Sequence, residues 1–171
     1  MEFITNVDQI IEICQSRILG SGYLINRDHK RTKEVIGAQF EFDIFECKFD
    51  NDVNTEEYHE YLKIISPQLD YIKPEFNDDI FSRRLLLQFD RNYYNKMGLR
   101  AVPCPESMLI LVLNHSYVVD LIVNLRSTNI SKLKNDLNML IGMLNYTGQI
   151  LNVTFRPNRL YLQIASLHEY I

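Results

Sequence analysis

Tryptophan is absent from the 171 residues, and glycine and cysteine are scarce, at six and three. The glycines form neither a G-x-G-x-x-G nor a P-loop pattern. Backbone cradles for dinucleotides or nucleoside triphosphates, which need closely spaced glycines, are therefore excluded. Cys14, Cys47 and Cys104 are an odd set without C-x-x-C spacing. Neither a disulfide framework nor a structural zinc site is expected. His29, His59, His115 and His168 lie far apart, with no H-E-x-x-H pair, so no protein-bound metal is expected. No apolar run approaches the ~20 residues of a membrane helix. The N-terminus, MEFITNVDQI, lacks the basic head and apolar core of a secretory signal, and a cytoplasmic location is expected. Net charge is −4, from 18 basic and 22 acidic residues. Broad attraction to nucleic acid or to an anionic membrane is not expected.

The residues that are present suit one domain spanning 1–171, with 46% hydrophobic residues. Val7, Ile10, Ile11, Cys14 and Ile18 recur at helical spacing over 6–19, and Gly20 and Gly22 are expected to end that helix. Residues 26–34 are dense in charge and read as a loop or strand edge. Phe40, Phe42 and Ile44 mark a strand within 37–47. Thr55 can cap a helix over 55–65, and Pro67 and Pro74 are expected to break the chain beyond it. Residues 84–89 read as a buried strand, and 108–126 as two strands joined through Asn114–His115–Ser116. Leu133, Leu137, Leu140, Ile141 and Leu144 mark a helix over 131–145, with Ser131 as its cap. Residues 159–167 form a last strand. Without a regular β-α-β alternation, the fold class is α+β or mixed α/β with one large sheet.

Chemistry is concentrated in a few places. Arg31 lies in the polar stretch, Arg83 and Arg84 start an apolar strand, and Arg126 ends another. A guanidinium fork at a strand end suits phosphate oxygens, although charged residues in general are solvated on the surface. Cys104 stands in V-P-C-P-E-S directly before the apolar strand 108–113. A thiol held at a strand mouth near arginines would be partly ionised and nucleophilic, whereas a plain buried cysteine would be inert.

Read in order, these segments resemble the thymidylate synthase and pyrimidine-nucleotide hydroxymethylase superfamily. Arg31-Thr32 with Gly37-Ala38-Gln39-Phe40-Glu41-Phe42 is similar to its R-T and G-x-Q-x-R-F segments. Ser82-Arg83-Arg84 resembles its S-R-R strand, Pro103-Cys104 its nucleophile site, and Leu125-Arg126-Ser127 its Q-R-S. Ala165-Ser166-Leu167-His168-Glu169-Tyr170 resembles its G-x-x-H-x-Y ending. The resemblance implies a mixed sheet flanked by helices, truncated relative to the family. It also implies a homodimer binding a pyrimidine nucleoside monophosphate, deoxyuridylate or deoxycytidylate. Arg31, Arg126 and Ser127 would hold the phosphate, with Arg83 and Arg84 reaching it from the other subunit. Asn135 would read the pyrimidine edge, and Asp136 beside it would suit cytosine. His168 and Tyr170 would bond the sugar 3′-hydroxyl. Cys104, with a thiol pKa lowered by the arginines, would add to C6 of the ring. C5 would then take a one-carbon unit from 5,10-methylenetetrahydrofolate.

The departures are equally specific. The E-L-x-W-F-L-x-G helix is not found, and Glu56, Glu57 and Glu60 are the candidate stand-ins for its glutamate. The tryptophan-bearing folate wall is missing. Asn129 stands where the family has Asp, and Pro105 comes directly after the cysteine. The chain ends one residue after Tyr170, so no counterpart is expected for the segment that closes over folate. Two readings suit this pattern. One is a compact C5 methyl- or hydroxymethyltransferase; the other is an inactive homologue that binds the nucleotide as a regulatory or partner subunit.

Overall fold

In the computed structural model, residues 2–27, 30–50, 53, 55–81, 85–89 and 104–171 are described. Among them the strands are β1 (Glu2–Phe3), β2 (Tyr23–Arg27), β3 (Lys30–Asp43), β4 (Leu86–Gln88), β5 (Pro105–Val112), β6 (Val118–Leu125), β7 (Thr128–Asn129) and β8 (Arg156–Tyr170). The helices are α1 (Val7–Ser21), α2 (Glu56–Asp78) and α3 (Ile130–Leu151). One eight-stranded mixed sheet runs in the order β1-β3-β8-β6-β5-β4, with β2 paired to β3 and β7 to β8.

The helices start where local chemistry allows. The Asn6 side chain accepts from Gln9 N–H, and the Gln9 side chain accepts in turn from the Asn6 backbone N–H, a capping box. The α1 helix runs through Gly20 and stops at Gly22, where a Cβ would meet the Ile18 carbonyl oxygen at 2.5 Å. Thr55 caps α2 as the sequence indicates. That helix does not break at Pro67 or Pro74, but continues through both. An internal proline costs about 3 kcal/mol. Here Tyr61, Ile64, Ile65, Leu69, Ile72 and Phe76 form a buried stripe along α2, and each such side chain contributes roughly 1.5–3 kcal/mol. Burial wins. In α3 the cap is Asn129 rather than Ser131.

Alternation sets the two faces of the sheet. Met108 and Ile110 of β5, Val119, Leu121 and Val123 of β6, and Leu160, Leu162 and Ile164 of β8 are buried. They form one core cluster with the inward residues of the helices. The intervening residues, among them Leu109, Ile122 and Tyr161, are half-buried on the opposite face. In β3 and β8 the alternation slips at the same rung, where Gly37 takes φ +65° opposite Ala165. Of the charged stretch 26–34, the described residues 26–27 and 30–34 lie in the antiparallel pairing of β2 with β3. β6 leads through β7 and α3 into its parallel neighbour β8, and β1 is likewise parallel to β3, with α1 between them in sequence.

Candidate functional site

Strand direction gathers most of the sequence candidates at one end of the sheet. β5 and β6 are antiparallel, so Cys104 before β5 sits beside Arg126 after β6, and the Arg126 N–H donates to the Cys104 carbonyl at 2.8 Å. β8 runs parallel to β6, which brings His168 and Tyr170 to that end. β3 runs antiparallel to β8, placing Arg31 there, with its carbonyl accepting from Ile171 N–H at 2.9 Å. The α3 N-terminus opens at the same place, with β7 pairing Asn129 to His168. The His168 and Tyr170 rings lie 5.6 Å apart, edge to face.

The centre is a cluster of thiol and carboxylates. Cys104 is half-buried, its thiol within the field of Asp136, whose carboxylate accepts from the Thr128 hydroxyl at 2.7 Å. Asp136 is 3% exposed. The charge of Glu57, in the first turn of α2, reaches both Cys104 and Asp136. Glu57 accepts from the buried Tyr61 hydroxyl at 3.4 Å. Lys132 and Arg126 oppose the acids.

The electrostatics overturn one expectation. The thiol pKa is not lowered. Burial first, then Asp136 and Glu57, push it up to about 11, against the smaller pull of Lys132 and Arg126. Burial likewise pushes Asp136 up to about 6, with Glu57 adding to the rise and the Thr128 bond offsetting part of it.

Asn135 is exposed, its side chain directed at Met139 Sδ, and it does not join the cluster. Its neighbour Asp136 does. Of the three glutamates, Glu56 is exposed, and Glu57 is the one whose charge reaches the thiol. Arg31 is exposed, and Arg126 and Ser127 are half-buried. Arg83 and Arg84 lie outside the described residues. Thr128 and Lys132 supply partners that sequence motifs alone do not single out. The usable signal is helical spacing: Asp136 falls three residues after Leu133 and four before Leu140, and Glu57 four before Tyr61, so both acids sit in apolar stripes.

Asn129 adds a ligand-seeking atom. Its Oδ1 accepts from the N–H of Ser131 at 2.9 Å and from its hydroxyl at 2.7 Å. Its Nδ2 is buried with no hydrogen-bond partner among the described residues. A buried donor without an acceptor is costly, and a ligand oxygen there would satisfy it.

No family model matches this sequence, and no curated protein matches it. Among solved structures, the chain is similar to thermostable thymidylate synthase A from Bacillus subtilis. Identity is 15%, the TM-score is 0.68, and the match covers 97% of this chain and 80% of that chain. The chain has a thymidylate-synthase-like fold. That fold is legible in the order of the segments from Arg31 to Tyr170, most of which the structure brings to one end of the sheet. Among the described residues, no helix is long and apolar enough to cross a membrane.

Proposed function

We propose that this chain binds a cytosine nucleoside monophosphate at the end of the sheet and activates the ring through Cys104. The observation that carries the reading is the buried carboxyl of Asp136, whose charge acts on the Cys104 thiol together with those of Glu57, Arg126 and Lys132. With a pKa of about 6, Asp136 is mostly a carboxylate at neutral pH. A carboxylate accepts from the 4-amino group of cytosine and repels the O4 of uracil. Arg31, Arg126 and Ser127 supply donors for the phosphate, with Arg83 and Arg84 reaching it from a second copy. His168 and Tyr170 supply groups for the sugar.

The chemistry is a reversible addition. The Cys104 proton passes to Asp136 and on to N3 of the ring as sulfur bonds to C6. The C5=C6 electron pair moves to C5, which takes a proton from solvent beside Glu57. Loss of the original C5 hydrogen and cleavage of the S–C6 bond restore the ring, and N3 returns its proton through Asp136. The net result is exchange of hydrogen at C5.

The fold also implies 5,10-methylenetetrahydrofolate, which supplies a one-carbon unit when bound. The α3 surface beside the thiol consists of Ser131, Lys132 and Asn135, all polar and exposed. A pteridine ring needs an apolar or aromatic bed, and this surface is neither. The described residues of that surface do not fit that cofactor.

A homodimer belongs to the same reading. The sheet face turned away from the helices carries Leu109, Ile122 and Tyr161 in one row, bordered by Gln39, Asn124 and Gln163 in the next. A second copy would cover that row.

The raised thiol pKa favours a second reading, in which the nucleotide binds without chemistry. Release of tritium from 5-tritiated deoxycytidylate separates the two. Release abolished in Cys104→Ala supports activation. Tight binding with no release leaves binding alone, and equal release from Cys104→Ala removes the nucleophile from this position.

A further inference from the structure

A hollow of about 500 Å³ lies between α2, α3 and the segment after α3, away from the thiol cluster. Its size falls in the range of small-molecule sites, roughly 300–1,000 Å³. Gly142, Asn145, Tyr146 and Gln149 form one stripe of α3 along it, at spacings of three and four. Asp136 instead faces inward on the earlier Leu133–Leu140 stripe.

Three features define the hollow chemically. Tyr58 and Tyr146, both half-buried, bring aromatic surface, while Phe155 is buried at the edge of the core. Gly142 lets the Tyr58 ring lie against α3, since a Cβ there would meet ring atoms at 3.0–3.2 Å. The Tyr146 hydroxyl lies 3.4 Å from the Ser66 hydroxyl, which anchors that ring on α2. Asn145, Gln149 and Thr154, all exposed, bring amide and hydroxyl groups that both donate and accept. Among the described residues, no side chain lining the hollow is charged.

We propose that this hollow is a second ligand site, taking an uncharged bicyclic aromatic heterocycle of the purine kind. The two tyrosine rings supply stacking surface, the two amides one helical turn apart read the heteroatom edge, and the described lining, which carries no cation, disfavours a phosphorylated ligand. Its preference is thus opposite to that of the arginine-bearing end of the sheet. This inference stands apart from the nucleotide reading, because it uses none of that site's residues.

The test is a titration with adenine, adenosine and AMP, monitored by NMR at the side-chain amides of Asn145 and Gln149. The expected result is saturable shifts with adenine and adenosine at millimolar concentration or below, with AMP binding no tighter than adenosine. Asn145→Ala combined with Gln149→Ala, both on the exposed surface, should weaken adenosine about tenfold through two lost hydrogen bonds. Cys104→Ala should leave adenosine binding unchanged, which separates this site from the thiol site. Absence of shifts with both adenine and adenosine overturns the proposal. So does tighter binding of AMP, or a double variant that binds adenosine as wild type does.

Discussion

The backbone N–H of Arg126 donates to the carbonyl oxygen of Cys104 at 2.8 Å. This one bond closes the β5–β6 pairing at the end where α3 begins. It fixes a guanidinium-bearing residue and a thiol-bearing residue side by side, although 22 positions separate them. Opposite charges then compete for the thiol. Arg126 and Lys132 favour the thiolate, while burial, Asp136 and Glu57 favour the thiol and prevail.

Asp136→Asn should stabilise the fold at neutral pH. The folded-state pKa of about 6 lies above the ordinary 3.8, so the folded protein holds this proton more tightly than the unfolded chain. The contribution is fully present below pH 3.8 and is lost as pH rises through 6. The loss at pH 7.5 is at most about 3 kcal/mol. Asparagine carries no charge and can still accept from Thr128. Thermal melts should show a higher Tm for the variant at pH 7.5 and little difference near pH 4. An equal gain at both pH values would mean that charge burial is not the cause.

Arg126→Ala should erase most of the preference for a nucleoside monophosphate over its nucleoside. A charge-assisted bond to phosphate contributes about 2 kcal/mol, or roughly thirtyfold in Kd. Calorimetry with deoxycytidine and deoxycytidylate measures both arms. Equal affinities for the two ligands in wild type would remove the phosphate role.

Much of this is legible in the sequence, and the misreadings have a common cause. Strands such as Val118–Leu125 are visible because alternation is a local pattern, and the start of α2 is visible because the Thr55 cap is local too. Pro67 and Pro74 mislead because proline's cost is local, whereas the burial of Leu69, Ile72 and Phe76 that offsets it depends on the folded core. The Cys104 environment misleads for the same reason. Nearby arginines are visible in sequence, but the depth of burial and the approach of Glu57 across 47 positions are not. Motif spacing favours Asn135 over Asp136, while the helical stripe through Leu133 and Leu140 puts Asp136 inside.

Ile122→Glu should yield a monomer. Ile122 sits mid-row between Leu109 and Tyr161 on the face of the sheet turned away from the helices, and a charge there would have to be desolvated in any face-to-face pairing. Sedimentation velocity at micromolar concentration should show a dimer for wild type and a monomer for the variant, with matching circular dichroism. A wild-type monomer, or a variant that still pairs, would move the interface elsewhere.

Cys104 should alkylate slowly at neutral pH and faster as pH rises toward 11, because the thiolate is the reactive form. Asp136→Asn removes a charge that holds the thiol protonated, so labelling by iodoacetamide at pH 8 should accelerate, by about tenfold for each unit the thiol pKa falls. The chain contains its own control. Cys47 is raised to about 11 by burial alone, with no carboxylate among the causes, and its labelling rate should not change in the variant. Peptide mass spectrometry reads the two cysteines in one sample. If Cys104 and Cys47 respond alike, the Asp136 charge does not act on the thiol. If wild-type Cys104 labels rapidly at pH 7, the positive side chains outweigh burial, and the thiolate would stand ready for attack before any nucleotide arrives.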